Sequence, residues 1–344
     1  MGGPVSHREL AWYALRRVVG LIPVLLGILL LVFLMVRAIP GNPARNMLGQ
    51  RATPDEIANV EKQLGLDQPV AKQFASFALS AVKGDLGKSL SHHVPVTEEL
   101  ARAIPATLEL TLAAFLIACP VGVLLGGWSA LKKGTAADLL ATAFSLSGIS
   151  VPIFWLGLLL ILVFSVSLEW LPFGGRTDML IPPVTRFMLI DSLLGGPPGA
   201  FWDCLKHLIL PAVTLSTVPT AIIARMSRSC ALQVLNADFV RTARAKGLPE
   251  RAVLWRHVLP NAILPVITVA GLQFGYLLGG AVLTEHVFSW PGLGSLLLRA
   301  ISERDYPVIQ SAVLVAAVSF ALVNLVVDLL YASLDPRVSL DSNR

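Results

Sequence analysis

Six stretches of the chain carry no charge for about as long as a bilayer is thick: residues 18–36, 110–131, 139–168, 208–224, 262–284 and 308–327. A hydrocarbon core of about 30 Å takes roughly 17–25 helical residues to cross. Within it the backbone must satisfy its own hydrogen bonds, which a helix does locally. The runs therefore predict an all-α membrane protein with six transmembrane helices. The third run exceeds one crossing and contains Pro152, which predicts a tilt or bend there rather than two crossings. Composition agrees, since 55% of the 344 residues are hydrophobic and only 14% charged, against about 45–50% and 25% in soluble domains. The first run follows Arg16 and Arg17 as a signal peptide does, but it outlasts the usual apolar region of about 7–15 residues. RAIPGNP follows it instead of a small-x-small cleavage site, so it reads as a retained helix.

Lys and Arg are held on the cytoplasmic side of membrane proteins. Arg8, Arg16 and Arg17 precede the first run, and Lys132 and Lys133 follow the second. The fourth loop holds Arg225, Arg228, Arg241, Arg244, Lys246, Arg251 and Arg256 against Asp238 and Glu250. Residues 38–102 and 169–206 are balanced or slightly acidic. This pattern puts both termini inside and divides the chain into 1–37 (cytoplasmic N-terminus and first helix), 38–102 (an extracytoplasmic cap) and 103–344 (a five-helix core). The net charge of +5 reports that asymmetry; no basic stripe interleaves with stacking aromatics, so nucleic acid is not an expected partner. The lipid membrane is.

The cap is too long for a plain connection. TPDEIANVEKQLGL reads as a helix with Thr53 or Asp55 near its start, Ile57, Val60 and Leu64 on one face, and Gly65 as its stop. A second amphipathic helix is expected over 70–82. GDLGKSL at 84–90 is half of a phosphate loop, but GxxxxGK[ST] needs glycine where Val82 stands. His92 and His93 lack a third ligand at metal spacing. Cys119, Cys204 and Cys230 lie far apart with no CxxC, so no metal site or disulfide framework is expected. At RAIPATLEL, Pro105 suits a first helical turn and Glu109 the positive end of a helix dipole.

Gly122 and Gly126, then Gly271, Gly275 and Gly279, give small-xxx-small spacing for close helix packing. Polar residues at membrane depth are candidates for a solute path: Ser145, Ser147, Ser150, Thr214, Ser216, Thr217, Thr220, Gln273, Tyr276, Asn324 and Asp328. No nucleophile–base arrangement, HExxH or buried carboxylate relay is present, which argues against an enzyme.

Within the basic loop lies NADFVRTARAKGLPERAVLWRHVLP, residues 236–260. Asn236 or Asp238 can cap a helix running to Lys246, Gly247 can end it in the left-handed conformation, and Pro249 with Glu250 can open the next. Such a cytosolic helix–turn–helix is too polar to insert and too short to fold alone, so it makes sense as an element another protein receives; a loop anchored to anionic lipid is the plainer reading.

The segment resembles the EAA loop of ABC importer permeases: Arg241, Thr242 and Ala243 stand at the EAA positions, Gly247 at the glycine and Leu259-Pro260 at the end. Arg241 and Thr242 depart from Glu and Ala, and His257 from Ile, as in the dipeptide/oligopeptide/nickel branch, where RTARAKG and a motif like HVLPNAILP are usual. The likeness extends to PVTEELARAIPATLEL, HLILPAVTL, GGAVLTEHVFSWPGLG, DYPVIQ and VVDLLYASLDPR, nearly the whole chain. It implies the type I ABC importer permease fold, with a coupling loop at 229–261 docked into a cytosolic ATPase through Arg241, Ala243, Arg244, Lys246, Gly247, Glu250 and Arg251. Bulk should be least tolerated at Ala243 and Gly247. VFSWPGLG would be a re-entrant element by the outer gate, so Glu285, His286 and Trp290 join Ser147, Ser150, Thr217, Gln273, Tyr276, Asn324 and Asp328 as pathway or gate candidates. The chain would bind no cofactor itself; ATP-Mg would sit on partner subunits. Implied partners are a second homologous permease, two ATPases and an extracytoplasmic binding protein. The expected cargo is a dipeptide or oligopeptide, with nickel, glutathione or another small solute as alternatives. An ion-driven secondary transporter and a membrane-anchored scaffold are the rivals outside the family; the former predicts inverted repeats with paired broken helices, which are not found.

Overall fold

The computed structural model describes residues 7–38, 53–63, 65 and 67–334. Among these every regular element is helical apart from an isolated β-bridge between Lys88 and Pro95. In chain order the helices are α1 (His7–Ala38), α2 (Pro54–Gln63), α3 (Val70–Val82), α4 (Val96–Leu131), α5 (Ala136–Ser150) and α6 (Ile153–Leu160), which loosens into a π-helical segment at Ile161–Ser167. Then follow α7 (Met188–Leu194), α8 (Ala200–Leu235), α9 (Asp238–Ala245), α10 (Glu250–Val253) with a π-helical segment at Leu254–Val258, α11 (Leu259–Val287), α12 (Leu293–Glu303) and α13 (Tyr306–Leu334). Leu64 of the first cap motif and residues 335–337 of the last motif lie outside the described residues.

Five helices are long and apolar enough to cross a membrane, within α1, α4, α8, α10–α11 and α13, and the pair α5–α6 makes a sixth as a broken span. The break falls at the expected proline. Val151 stands before Pro152 and takes an extended conformation, ψ 125°, because a proline ring bars its predecessor from the helical region. The two arms meet at 104°, far more than the tilt a long run needs.

Around α8 the rest is arranged. It packs against α4, α5, α6, α7 and α11, and 72% of its apolar window is buried, against 17% for α1. Close approach of α4 and α8 depends on glycine: a β-carbon at Gly126 would run into the carbonyl of Ala224 and meet Ser227 Cβ at 2.7 Å, and one at Gly122 would meet Ile223 at 2.8 Å. At Gly271 it would strike Val327 of α13. By contrast, nothing lies within 4 Å of a β-carbon at Gly279, so the third glycine of that spacing is not a packing position in this chain. The outlying α1 lies along α13 and carries α3 on its far end, where Phe33 meets Phe74 edge-on at 5.3 Å and the Arg37 guanidinium sits 3.6 Å over the Phe33 ring.

Two expectations need correction. The helix expected to start near Pro105 starts at Val96, after Pro95, so it crosses the 102/103 division without a break and Pro105 lies within it. Glu109 is therefore beyond the first turn, where the dipole no longer acts, and another partner accounts for it below. The cap helices follow the sequence more closely: α3 spans 70–82 as expected, and Gly65 takes φ +66° just past α2.

Because α4 and α8 touch through Gly126 and not through its neighbour, Gly126→Ala should cost about 1–3 kcal/mol by overpacking. Gly127→Ala, with nothing within 4 Å, should stay within about 0.5 kcal/mol of wild type. Thermal unfolding of the two variants in one detergent tests this; equal midpoints would refute it.

Candidate functional site

Two regions at opposite ends of α8 and α11 concentrate the chemistry. At the first, α8 ends at Leu235 and α9 begins at Asp238. Neither Asn236 nor Asp238 caps α9: its N-cap is Ala237, with no side-chain bond, while the Asn236 amide donates back to Leu232 O at 2.9 Å. The reason is that only two residues part the helices, and Asn236 is spent closing α8. Gly247 does take the left-handed conformation, φ +78°, with its N–H on Arg244 O and the Lys246 N–H on Thr242 O. Pro249 then presets φ −63° and caps α10.

Val240, Ala243, Val253 and Val258 form a small buried core, with Val234, Leu235 and Leu254 packed on it. So the loop is a folded unit joined to both α8 and α11. Arg241, Arg244, Lys246, Gly247, Glu250 and Arg251 are exposed. Ala243 is not; it is turned into the loop's own core. Arg244 bridges the turn to Glu250 through two bonds, Nη2 to Oε1 at 2.6 Å and Nε to Oε2 at 3.1 Å. That guanidinium holds the Glu250 carboxyl below its ordinary range. A depressed folded pKa means the pair's contribution is present at neutral pH and lost as pH falls through that lowered value; for so exposed a pair it amounts to only about 0.2–1 kcal/mol.

At the other end, α11 runs out at Val287, and HVFSWPGLG turns the chain into α12. Phe288 and Trp290 are almost fully buried. Glu285 is wholly buried. Its Oε1 accepts from Thr107 Oγ1 of α4 at 2.6 Å and its Oε2 from the Ser295 N–H at 3.0 Å, while Thr107 Oγ1 accepts the Leu293 N–H at 2.7 Å. A carboxyl from one helix and a hydroxyl from another thus take up free N–H groups of α12's first turn, which is what that end lacks. Glycine is required beside it, since a β-carbon at Gly292 would collide with the Glu285 carboxyl. Trp290 Nε1 donates to Ala106 O at 2.8 Å, and the Arg176 guanidinium lies 5.6 Å over its ring.

Arg176 is the partner that Glu109 needs: Nη2 donates to Glu109 Oε2, and Glu109 Oε1 accepts the Leu189 N–H at 2.7 Å. Both side chains are nearly buried. Nearby, burial would push the Asp191 carboxyl up, yet donors from Thr185, Arg186 and Val184 outweigh it and hold it below the ordinary range. GDLGKSL closes the same end, where Ser89 Oγ donates to the buried Asp305 at 2.6 Å and the Ser91 N–H to the same oxygen at 3.1 Å.

Residues 122–340 match the family described as the inner membrane component of binding-protein-dependent transport systems, and residues 10–111 match its N-terminal region. This chain belongs to that family. It is similar to the di/tripeptide transport system permease protein DppB of Pseudomonas aeruginosa, 51% identical over 94% of this chain and 97% of the relative. The dipeptide transport system permease protein DppB of Escherichia coli K12 is 46% identical over 95% and 98% of the two chains. The glutathione transport system permease protein GsiC of Salmonella paratyphi A is 42% identical over 95% and 98%. A solved amino acid ABC transporter with histidines matches 68% of this chain and 94% of its own, at 17% identity and a TM-score of 0.47.

In this permease the pathway candidates differ in burial and in bonding. Ser147 and Ser150 are exposed on α5, each hydroxyl bonded back to a carbonyl four residues earlier. Thr217 is half-buried and bonded to Thr214 O at 2.8 Å. On α11, Tyr276 is exposed, while Gln273 Oε1 is buried with no partner, as is Asn324 Oδ1 on α13. His286 is exposed. Glu285 and Trp290 have no surface to offer a solute in this conformation; they are the frame of the turn. The side chain of Asp328 lies outside those described.

Thr107→Val removes the hydroxyl that both accepts from Leu293 and donates to Glu285, leaving two buried groups unpaired. A loss of about 2–6 kcal/mol is expected from roughly 1–3 kcal/mol for each of the two orphaned groups, with Thr107→Ser near wild type. Denaturant unfolding in detergent reads the difference; a neutral valine variant would sink the account.

Proposed function

We propose that this permease is one of two membrane-spanning subunits of an ATP-driven importer that moves dipeptides and short oligopeptides inward. The observation that carries the coupling half of the reading is the loop between α8 and α11. It has its own apolar core and presents an exposed basic face, so a neighbouring protein can grip it as a rigid knob. Arg241, Arg244, Lys246 and Arg251 would steer and hold an ATPase surface, Gly247 would shape the turn, and Ala243 would act from within by keeping α9 close to α10. The Arg244–Glu250 bridge stiffens that turn. Two ATPase subunits carrying ATP-Mg, a second homologous permease and an extracytoplasmic binding protein complete the assembly, with the termini and the basic loops on the cytoplasmic side and the α2–α3 cap on the other.

Cargo rests on the relatives named for di- and tripeptides over almost their whole length. Glutathione is the second reading, supported by the 42% identical relative. Coupling follows from mechanics: reorienting a transporter takes relative movement of packed bodies, and a knob continuous with two spans transmits force to both.

Gly247 separates shape from docking, because nothing crowds it and only its positive φ demands glycine. Asn tolerates the left-handed region better than most residues. In reconstituted complexes, Gly247→Asn should keep most ATP-dependent peptide uptake, while Gly247→Arg should lower it at least tenfold with the permease still folded. Unimpaired uptake by the arginine variant refutes docking at this turn, and uptake undiminished without ATP would favour an ion-driven transporter.

A further inference from the structure

One cluster outside both regions is built in a way that the transport reading does not use. Near the start of α8, Asp203 and His207 stand one helical turn apart, and Asp178 approaches them from the connection between α6 and α7. One donor atom of each lies within 4.8 Å of the others. The His207 side chain is 1% exposed and that of Asp178 82% exposed, so the cluster is anchored inside and open to water.

The imidazole has a defined orientation. His207 Nδ1 lies 2.9 Å from the backbone carbonyl of Asp203; a carbonyl only accepts, so Nδ1 carries a proton and Nε2 is the nitrogen left to offer a lone pair. Nε2 is buried and has no hydrogen-bond partner. What it faces is Asp178 Oδ1 at 3.6 Å, a second lone-pair donor. Two such atoms repel unless a cation stands between them. The gap is longer than a hydrogen bond, about 2.7–3.2 Å, but matches two ligands on one tetrahedral ion with bonds of about 2.0–2.1 Å, which are roughly 3.4 Å apart. Asp203 is held as well: its Oδ2 accepts from Thr177 Oγ1 at 2.5 Å and from the Asp178 N–H at 3.0 Å, which fixes the carboxylate beside the ring, within the 4.8 Å that joins the three donor groups. A ligating histidine held by its other N–H on a carbonyl, beside a carboxylate held by hydrogen bonds, is the usual support of a metal ligand set.

We propose that Asp178, Asp203 and His207 bind a first-row divalent cation, Zn2+ in the first instance, with water filling the open positions. One imidazole and two carboxylates suit Zn2+ or Mn2+ better than Mg2+ or Ca2+, which favour all-oxygen sets. The ion would tie the segment around Thr177 and Asp178 to α8. That segment also carries Gly175, whose N–H donates to Phe288 O at 2.9 Å, and Arg176 on Glu109, so the ion would staple the connection covering the Trp290 turn.

Full-length permease, stripped with chelator and exchanged into metal-free detergent buffer, is titrated with Zn2+ against a chromophoric zinc indicator and melted with and without the ion. Wild type should take one equivalent at micromolar affinity or better and melt higher with it. Asp178→Asn, at an exposed position that leaves the fold intact, should weaken binding at least tenfold and melt at the same temperature with or without Zn2+; Lys206→Ala should match wild type. Absence of stoichiometric uptake by wild type, unchanged uptake by Asp178→Asn, or stabilisation by acid alone with none by Zn2+ would each overturn the site, the last making the contact a simple ion pair of protonated His207.

Discussion

A carboxyl group with no solvent to share has to be satisfied by the protein, and at Glu285 that demand organises one whole end of the molecule. Burying such a group unpaired costs several kcal/mol. Donors come from Thr107 on α4 and from the first turn of α12, so α4 is joined at one point to α11 and α12, with Thr107 and Glu285 178 residues apart along the chain. The tight turn of Trp290 and Gly292 follows, because the chain must reverse within a few residues to bring α12's free N–H groups onto the carboxyl, and only glycine fits against it. The Trp290 indole then reaches Ala106 O, next to Thr107 on α4, and the arrangement closes on itself.

The same end holds two more buried polar joints, Glu109 with Arg176 and Asp305 with Ser89. Breaking one partner of such a joint leaves the other stranded, so together they favour one arrangement of the connections over the spans. The opposite end is made differently. There Asp138 receives Arg228 in a two-pronged bond, 2.8 and 2.9 Å, and Ser129 at 2.5 Å, which ties the α4–α5 turn to α8. The loop beyond has a core of small aliphatic side chains and a charged exterior.

Sequence revealed what depends on neighbours in the chain. Spans, the break at Pro152, the amphipathic helix over 70–82 and the left-handed Gly247 are each decided by a few adjacent residues. Pro105 does not start the helix because proline is tolerated inside membrane helices, and PVTEEL upstream supplies a better first turn, with Glu98 and Glu99 in it. Asn236 looked like a cap and is spent on the preceding helix. Thr107 with Glu285, Glu109 with Arg176 and Ser89 with Asp305 lie 178, 67 and 216 residues apart; no local spacing joins them, so Thr107 and Arg176 carry no signal in the sequence, and the helix dipole that Glu109 suggests locally is not its partner. His207 hid for the same reason. Its i,i+4 carboxylate was visible, but the third member comes from a loop whose path is set by the Trp290 turn.

The two ends are linked by α8 and α11, and this restricts how motion can pass between them. Both are long: thirty-six residues in α8 rise about 54 Å at roughly 1.5 Å each, more than a bilayer core, so one helix runs from the loop to Asp203 and His207. Side-chain bonds within α8, from Thr214, Ser216, Thr217 and Thr220 to carbonyls one turn back, keep those four hydroxyls satisfied without a partner helix. The π-helical segment at Leu254–Val258, by which the loop joins α11, is the place where the ladder departs from regular geometry, and such segments mark where helices bend. Both routes from the loop thus hold a bend point, Pro211 and Pro219 within α8, where the ladder lacks a bond, and this segment before α11, set between the loop and the helix ends that carry His207 and Glu285.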